Sequence, residues 1–417
     1  MPADRLRFRP PAVAPTAAIR WLLLRAFGPA AAALPEPVVG AEAVALARLF
    51  EVSPRIAGRN SLSTLTAELG SAAAAELRRD HLLEVGREMR LWELVRAVAA
   101  VAAPLGIPLV LLKLAALLAA GAVRPGSRGA CDVDLLVPRE RARELQEALV
   151  AGGWTSSKLP ALEHQLPALA APPGAGGGIV ELHLMVLGVR PADAASATLE
   201  VLDRAGLLVP VAAAQALPGR CLVPASAVLL AHALVHGLGQ HGRAPDSYSP
   251  FKMIGDLIDL GLGGGPAAAG EETARLASAW VAKDVTAAEA AAALGLAGRL
   301  AAGDDAGVLL TGGMAGGEGE LLRHLLAGRL DPAYRAALKL ELFSVLPSDR
   351  PAPARLARAL AGTLFLSRAQ VDAIYGRPAS RWGYLGRRLA RPFDLAVRLV
   401  VYGARSLRLP SHILPPR

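Results

Sequence analysis

Two aspartates, Asp132 and Asp134, alternate with apolar residues in a short run that Pro138 ends. This run is rich in β-branched and apolar side chains, which predicts a buried strand. Side chains alternate between the faces of a strand, so both carboxylates point to one face and Val133 to the other. Two close, buried carboxylates repel each other unless a cation or hydrogen-bond donors compensate. The run therefore predicts a pair of ligands for one magnesium ion.

A second acidic strand is predicted at residues 179–184, where Glu181 and His183 share a face. Upstream, residues 107–112 are predicted to form a buried strand and residues 113–122 a helix. Three carboxylates on neighbouring strands suit metal-assisted phosphoryl or nucleotidyl transfer, since magnesium prefers oxygen ligands and two ions can clamp the reacting oxygens. Glu181 would act as general base or metal ligand, oriented by His183; the alternative is a structural ion pair with Arg128.

The order of these segments resembles the nucleotidyltransferase superfamily with a DNA-polymerase-beta-type palm. Within it, the chain is most similar to a family of bacterial nucleotidyltransferases described as uncharacterised. The resemblance covers roughly residues 85 to 260. The motifs that carry it are Leu111-Leu112-Lys113-Leu114, Arg128 to Val137, Glu181-Leu182-His183, and the segments 229–237 and 252–260.

The resemblance implies an enzyme with a two-ion magnesium site, in which Asp132, Asp134 and Glu181 are the catalytic carboxylates and metal ligands. It also implies that two basic groups, Lys113 and Arg128, lie near the nucleotide phosphates. From the helical side, Lys252 and Asp256 would line the cleft. Such an enzyme moves a nucleoside monophosphate from an NTP, with ATP among the candidates, to an acceptor hydroxyl and releases pyrophosphate. The acceptor is open: a small molecule, a saccharide or a peptide.

Leu114 departs from the superfamily pattern, which usually has Gly at the turn between the first strand and its helix. A side chain at a turn where backbone approaches the triphosphate would intrude, so Leu114 predicts altered or weakened nucleotide binding. This departure motivates an alternative function, a binding or scaffold protein that keeps the palm and has lost catalysis.

The apolar fraction is 53%, with only 4% aromatic residues, so the interior is mainly Ala, Leu and Val, which favours helices. We expect an α+β fold, with a small mixed sheet at about residues 105 to 190 embedded in a mainly helical protein. The length suggests several packed units. They are predicted as an N-terminal helical region (1–84), the palm (85–190), a helical domain (191–350) and a basic C-terminal helical region (351–417).

The net charge of +9 is concentrated near the C-terminus, where residues 351–417 contain twelve Arg against Asp372 and Asp394, a net charge of +10. Residues 381–409 combine Arg with aromatic side chains. This segment could form an interfacial helix at an anionic membrane or a patch that faces RNA. The favoured interpretation is the solvated face of a helix docked on the body of the protein. The RNA alternative would make the protein a toxin-like transferase that acts on tRNA.

His232 and His236 are four residues apart on a predicted helix, a spacing that can bind metal. Without a following Glu or a third ligand, a core or cleft-lining role is favoured over zinc. Cys131 and Cys221 lack metal or disulfide spacing and are expected to be reduced core residues.

The N-terminal segment lacks the pattern of a signal peptide, and the longest apolar stretch, residues 95–123, contains Arg96 and Lys113. A Lys at mid-bilayer costs about 3 kcal/mol, so no transmembrane segment is expected. A cytoplasmic enzyme is predicted.

Overall fold

In the computed structural model, the two strands with the predicted acidic residues are neighbours at the centre of a mixed sheet. The structure describes residues 10–32, 34, 36–130, 132–157, 164–175, 177–186, 197–212, 217–240, 249–261, 279–281, 285–311, 317–331, 334 and 380–390.

The described part of the sheet has seven strands: β1 (Leu109–Leu111), β2 (Asp132–Leu136), β3 (Thr155–Ser156), β4 (Leu169–Ala170), β5 (Ile179–His183), β6 (Leu208–Pro210) and β7 (Cys221–Pro224). Their order across the sheet is β3-β4-β5-β2-β1-β7-β6. β2 runs parallel to β5 and antiparallel to β1, while β1 runs parallel to β7.

Helices dominate the rest of the described chain. They are α1 (Ala17–Phe27), α2 (Gly40–Leu49), α3 (Ser53–Arg59), α4 (Leu62–Leu69), α5 (Ser71–Ala102), α6 (Lys113–Ala119), α7 (Ala142–Ala151), α8 (Leu199–Arg204), α9 (Ser226–Leu234), α10 (Pro250–Gly261), α11 (Ala287–Ala302), α12 (Ala306–Thr311) and α13 (Glu318–Leu330). A short 3-10 helix spans Pro173–Ala175, and a π-helix spans Val235–Gln240 directly after α9.

Local sequence explains several helix ends. Ser61 caps α4, because its side chain accepts a hydrogen bond from the Thr64 backbone N–H. Thr286 and Glu289 form a capping box at the start of α11. Gly70 has φ 84°, a left-handed conformation that favours glycine, and it separates α4 from α5.

Three large apolar cores and a small fourth cluster hold the described elements together. One joins α1 to α3 with α9 to α13, and contains the stacked rings of Phe27 and Phe251. The second lies between the sheet and helices α5 to α7, and includes Val133 and Leu135. The third covers the opposite face of the sheet, where Leu136 packs with residues of β1 and α8. Alternation along β2 thus places both aspartates on the face opposite Val133.

The predicted fold class is confirmed, because a mixed sheet lies within a mainly helical α+β protein. The sheet is larger than the expected residues 105 to 190, since β6 and β7 lie beyond them and β7 pairs with β1. Pro210 and Pro224 end these short strands and obscure their pattern in the sequence. The helix α5 continues through residue 84 without a break, and the four-region division (1–84, 85–190, 191–350 and 351–417) stays a prediction.

Most of the basic C-terminal region lies outside the described residues. So do the greater part of residues 381–409, for which a solvated helix face is favoured over membrane or RNA contact, and Cys131. In the described part of the C-terminal region, residues 381–390 are helical and Trp382 is 80% exposed. Cys221 is buried with a free thiol, as expected. No helix in the described ranges is long and apolar enough to cross a bilayer.

Candidate functional site

The register between β2 and β5 brings two of the predicted carboxylates together. Asp134 pairs directly with Glu181 across the parallel strands, and Leu136 pairs with His183. Because side chains two residues apart share a face, the Asp134, Glu181 and His183 side chains meet on one side of the sheet. The Asp134 side chain is only 2% exposed and that of Glu181 is 22% exposed.

His183 links the two carboxylates. Its Nε2 atom lies 2.8 Å from Asp134 Oδ1 and 3.6 Å from Glu181 Oε2. The sequence predicted that His183 orients Glu181, but its shorter contact is with Asp134. One ligand atom from each of the three residues lies within 4.8 Å of the others. The three side chains therefore form a compact group that fits a divalent cation.

Lys113 adds a positive charge to this group. It is the first residue of α6, and its Nζ atom lies 2.7 Å from Asp134 Oδ1. Its backbone has φ 47°, a left-handed conformation that is uncommon for a residue with a side chain. The ammonium of Lys113 contacts the Asp134 carboxylate, and its predicted place near the nucleotide phosphates stays a prediction.

The electrostatics of the group separate the two aspartates. Burial alone would raise the pKa of Asp134, but Lys113 and His183 outweigh it and hold that pKa below its usual range. Burial would lower the pKa of His183, yet its contacts with Asp134 and Glu181 raise it. The hydrogen bond from His183 lowers the pKa of Glu181. For Asp132, burial and then repulsion from Asp134 raise the pKa. The folded protein thus favours the charged form of Asp134 and disfavours that of Asp132.

Asp132 is half-buried and lies outside the compact three-residue group of the described residues. It lines a cavity of about 710 Å³ between α5, the start of β2 and the start of α10. Four basic side chains and three further acidic ones also line this cavity: Arg48, Arg87, Arg90 and Lys252, and Glu51, Asp80 and Glu84. Its volume is in the range of small-molecule sites.

These observations allow a comparison with known families. The model of a family described as uncharacterised nucleotidyltransferase matches residues 40–254, which is more than half of the 417-residue chain. The chain belongs to this nucleotidyltransferase family. No curated protein and no solved structure matches it. The match begins at the first residue of α2, well before the predicted palm, and it contains all of the predicted site residues except Asp256.

The donor set is consistent with the divalent metal that nucleotidyltransferases generally use. Asp134 and Glu181 supply the oxygen ligands that magnesium prefers, and His183 contacts both carboxylates through its Nε2 atom. Asp132, two residues before Asp134 on the same strand face, can extend this set towards the cavity.

Arg128 and Asp256 face each other within the protein interior. Arg128 donates through Nε and Nη2 to the two carboxylate oxygens of Asp256, at 2.7 and 2.9 Å, and both side chains are buried. Burial, partly offset by Arg128, raises the pKa of Asp256. This bidentate pair ties the turn before β2 to α10. The alternative pairing of Arg128 with Glu181 is not the one seen here.

Lys252 lines the large cavity and pairs with Glu51, at 2.7 Å from its Oε2. Glu51 also pairs with Arg329 of α13, and its backbone has φ 57°. No local sequence pattern marks Glu51, because its partners lie more than 200 residues away in the chain. Glu51 is recognised from the structure, because it has a left-handed backbone without being glycine and its side chain forms two ion pairs beside the cavity.

Leu114 lies in the sheet core, with 2% of its surface exposed. The expectation that its side chain intrudes on the triphosphate is therefore wrong, because the side chain points into the core. The left-handed residue at this turn is Lys113. Leu114 therefore gives no reason to favour a scaffold protein over an enzyme.

His232 is buried, and its ring makes an edge contact with the ring of His236, with 5.7 Å between the centroids. Burial lowers the pKa of His232 to about 3, which favours the neutral form. Neither residue belongs to the group of metal-ligating side chains found among the described residues. This agrees with the favoured core or cleft-lining role.

Proposed function

We propose that the protein is a magnesium-dependent nucleotidyltransferase that moves a nucleoside monophosphate from an NTP to an acceptor hydroxyl. The observation that carries this proposal is the register of β2 and β5, which joins Asp134, Glu181 and His183 in one group with Asp132 nearby on the same face. The membership of the family supports the class of reaction.

In the proposed reaction, the acceptor oxygen attacks the α-phosphorus of the NTP and forms a new P–O bond. The bond from the α-phosphorus to the oxygen that bridges to the β-phosphorus breaks, and pyrophosphate leaves with that electron pair. Glu181 takes the acceptor proton, since its carboxylate is more exposed than that of Asp134.

Bound magnesium would neutralise charge on the phosphate oxygens and on the leaving pyrophosphate. Asp134 and Glu181 would hold it, and Asp132 would add a carboxylate from the cavity side. His183 holds Asp134 and Glu181 in place. Arg128 and Asp256 contribute by fixing α10 against the palm.

The cavity next to Asp132 is the proposed substrate cleft. Three of its four basic side chains pair with acidic residues of the same lining, as Lys252 of α10 does with Glu51, and phosphate groups would replace these carboxylates as their partners. Its acidic side chains suit hydroxyl or amino groups of an acceptor. A small molecule, a saccharide or a peptide remains the proposed acceptor class. A cytoplasmic location is part of the proposal, because NTPs are available there.

The test is nucleotidyl transfer by the purified full-length protein. Each of the four NTPs, labelled at the α-phosphate, is incubated with magnesium and a host-cell lysate, and labelled product is measured. Asp134→Asn should reduce the rate more than about a hundredfold. Asp203→Asn is the matched control, because Asp203 forms an exposed ion pair with Arg220, and it should keep wild-type activity. Full activity in Asp134→Asn would contradict the proposed function, and labelled tRNA as the product would select the tRNA alternative.

A further inference from the structure

One oxygen of Asp134 already has two partners. Oδ1 lies 2.7 Å from Lys113 Nζ and 2.8 Å from His183 Nε2. The carboxylate of Asp134 is also a member of the compact group that could hold a metal ion. A divalent cation at this group would therefore lie close to the Lys113 ammonium. Two positive charges so close together in a buried place repel strongly.

Lys113 is anchored by its neighbours. Leu112 and Leu114, on either side, are 0% and 2% exposed and pack in the cores of the sheet. The backbone of Lys113 is left-handed at φ 47°, where glycine would be less strained. A lysine at such a position indicates that its side chain, rather than its backbone, is required.

Two further cations of the described chain, Lys252 and Arg128, have other carboxylates as partners. Lys252 pairs with Glu51, and Arg128 pairs with Asp256. Among the ion pairs that the structure describes for Asp134, Lys113 supplies the permanent positive charge and His183 the titratable one. Lys113 thus stands where a metal ion would neutralise Asp134.

We propose that Lys113 is a tethered cation that occupies the metal position at Asp134 while no nucleotide is bound. Divalent metal then binds weakly to the free protein and enters together with the nucleotide, whose phosphate oxygens accept the Lys113 ammonium. This inference rests on the proposed function and assigns Lys113 a positioning role in the order of binding.

The test measures Mn²⁺ binding to the full-length protein without nucleotide, from the electron paramagnetic resonance signal of free Mn²⁺. Lys113→Met removes the charge and keeps the length of the side chain, so Mn²⁺ should bind at least about tenfold more tightly than to wild type. Lys113→Arg retains the charge and should bind Mn²⁺ as weakly as wild type. Arg220→Met is the matched control, because it removes a positive charge that pairs with the exposed Asp203 instead, and it should also bind Mn²⁺ as wild type does.

Thermal unfolding gives a second measurement that does not depend on activity. Lys113→Met leaves the Asp134 carboxylate without its ammonium partner, so the melting temperature of this variant should be lower than that of wild type. Adding Mn²⁺ should raise the melting temperature of the variant by more than it raises that of wild type. Equal Mn²⁺ affinity in wild type and Lys113→Met would overturn the inference and leave the transferase proposal intact. Full transfer activity of Asp134→Asn would overturn the proposed function, whatever the Mn²⁺ affinities are.

Discussion

At the scale of single residues, two aspartates with the same sequence pattern have different environments. Asp134 is buried and bonded to Lys113 and His183, which favour its charged form. Asp132 lies at the rim of the cavity, where burial and the charge of Asp134 raise its pKa. Repulsion between the two carboxylates therefore contributes to the raised pKa of Asp132, whereas the pKa of Asp134 is set mainly by its positively charged neighbours.

We expect Asp132→Asn and Asp134→Asn to have opposite effects on the metal-free protein. Removing the charge of Asp132 relieves repulsion, so the melting temperature should hold or rise. Removing that of Asp134 leaves Lys113 without its buried partner and should cost on the order of 3 kcal/mol. Thermal unfolding in a chelator measures both. Equal stability of the two variants would show that the Lys113 contact does not form in solution.

Glu88 gives a pH-dependent prediction. It is buried on α5, accepts a hydrogen bond from the Gly126 backbone N–H at 2.7 Å, and its Oε1 atom has no hydrogen-bond partner among the described residues. Burial raises its pKa to about 7. A carboxyl whose pKa is raised by folding destabilises the native state as pH rises from the unfolded pKa, near 4.5, to the folded pKa, near 7.

Glu88→Gln should therefore flatten the decrease in stability between pH 5 and pH 8, with a gain on the order of 1 to 3 kcal/mol at pH 8. The amide oxygen of Gln can still accept from Gly126. Urea unfolding at the two pH values measures the effect. The exposed Glu93 on the same helix provides the control Glu93→Gln, which should leave the pH dependence unchanged. If the stability of Glu88→Gln decreased between pH 5 and pH 8 as much as that of wild type, the prediction would be contradicted.

At the scale of elements, α10 is the helix that connects the N-terminal helices to the palm. Its Lys252 pairs with Glu51, just after α2, and its Asp256 pairs with Arg128 before β2. Its Asp259 accepts two hydrogen bonds from Arg55 of α3, at 2.6 and 2.8 Å. Three ion pairs along one helix thus set the position of Lys252 at the cavity.

A double-mutant cycle tests the buried link of α10. Arg128→Met or Asp256→Leu alone should each cost about 3 to 5 kcal/mol, because each leaves a buried charge unpaired. The double variant should recover much of that loss, which gives a large coupling energy. Chemical denaturation measures it, and the exposed pair Arg220 and Asp203 should couple by less than about 1 kcal/mol. Similar coupling in both pairs would show that the link to α10 is not a buried constraint.

At the scale of the whole molecule, the site and the cavity are assembled from segments far apart in the chain. Residues of α2, α5, β2 and α10 line the same cavity. A ligand that bridges these segments binds only the native state, so it raises the free energy of unfolding by mass action. The increase in the free energy of unfolding that a ligand causes therefore measures how tightly the assembled site binds it.

Magnesium with an NTP should raise the melting temperature of the wild-type protein by several degrees, and more than magnesium or NTP alone. The reason is that phosphate oxygens complete the ligand shell of the ion. Thermal shift assays with the four NTPs measure this, and Asp134→Asn should lose most of the shift. No shift with any NTP at millimolar concentration would argue against nucleotide binding.

The sequence alone determined the local features of this protein. Alternation predicted that Asp132 and Asp134 share a strand face and that Glu181 lies on a second strand. These predictions depend on residues close together in the chain, where strand and helix periodicity act directly. The family resemblance was confirmed by the match to residues 40–254.

Tertiary structure decided which side chains meet. Only the register of β2 with β5 places Asp134 beside Glu181, and only the packing of α6 brings Lys113 to Asp134. The partner of Arg128 is 128 residues away, at Asp256. Such pairings depend on how strands and helices pack, which local periodicity does not encode, because one pattern of apolar residues is compatible with many arrangements of the elements.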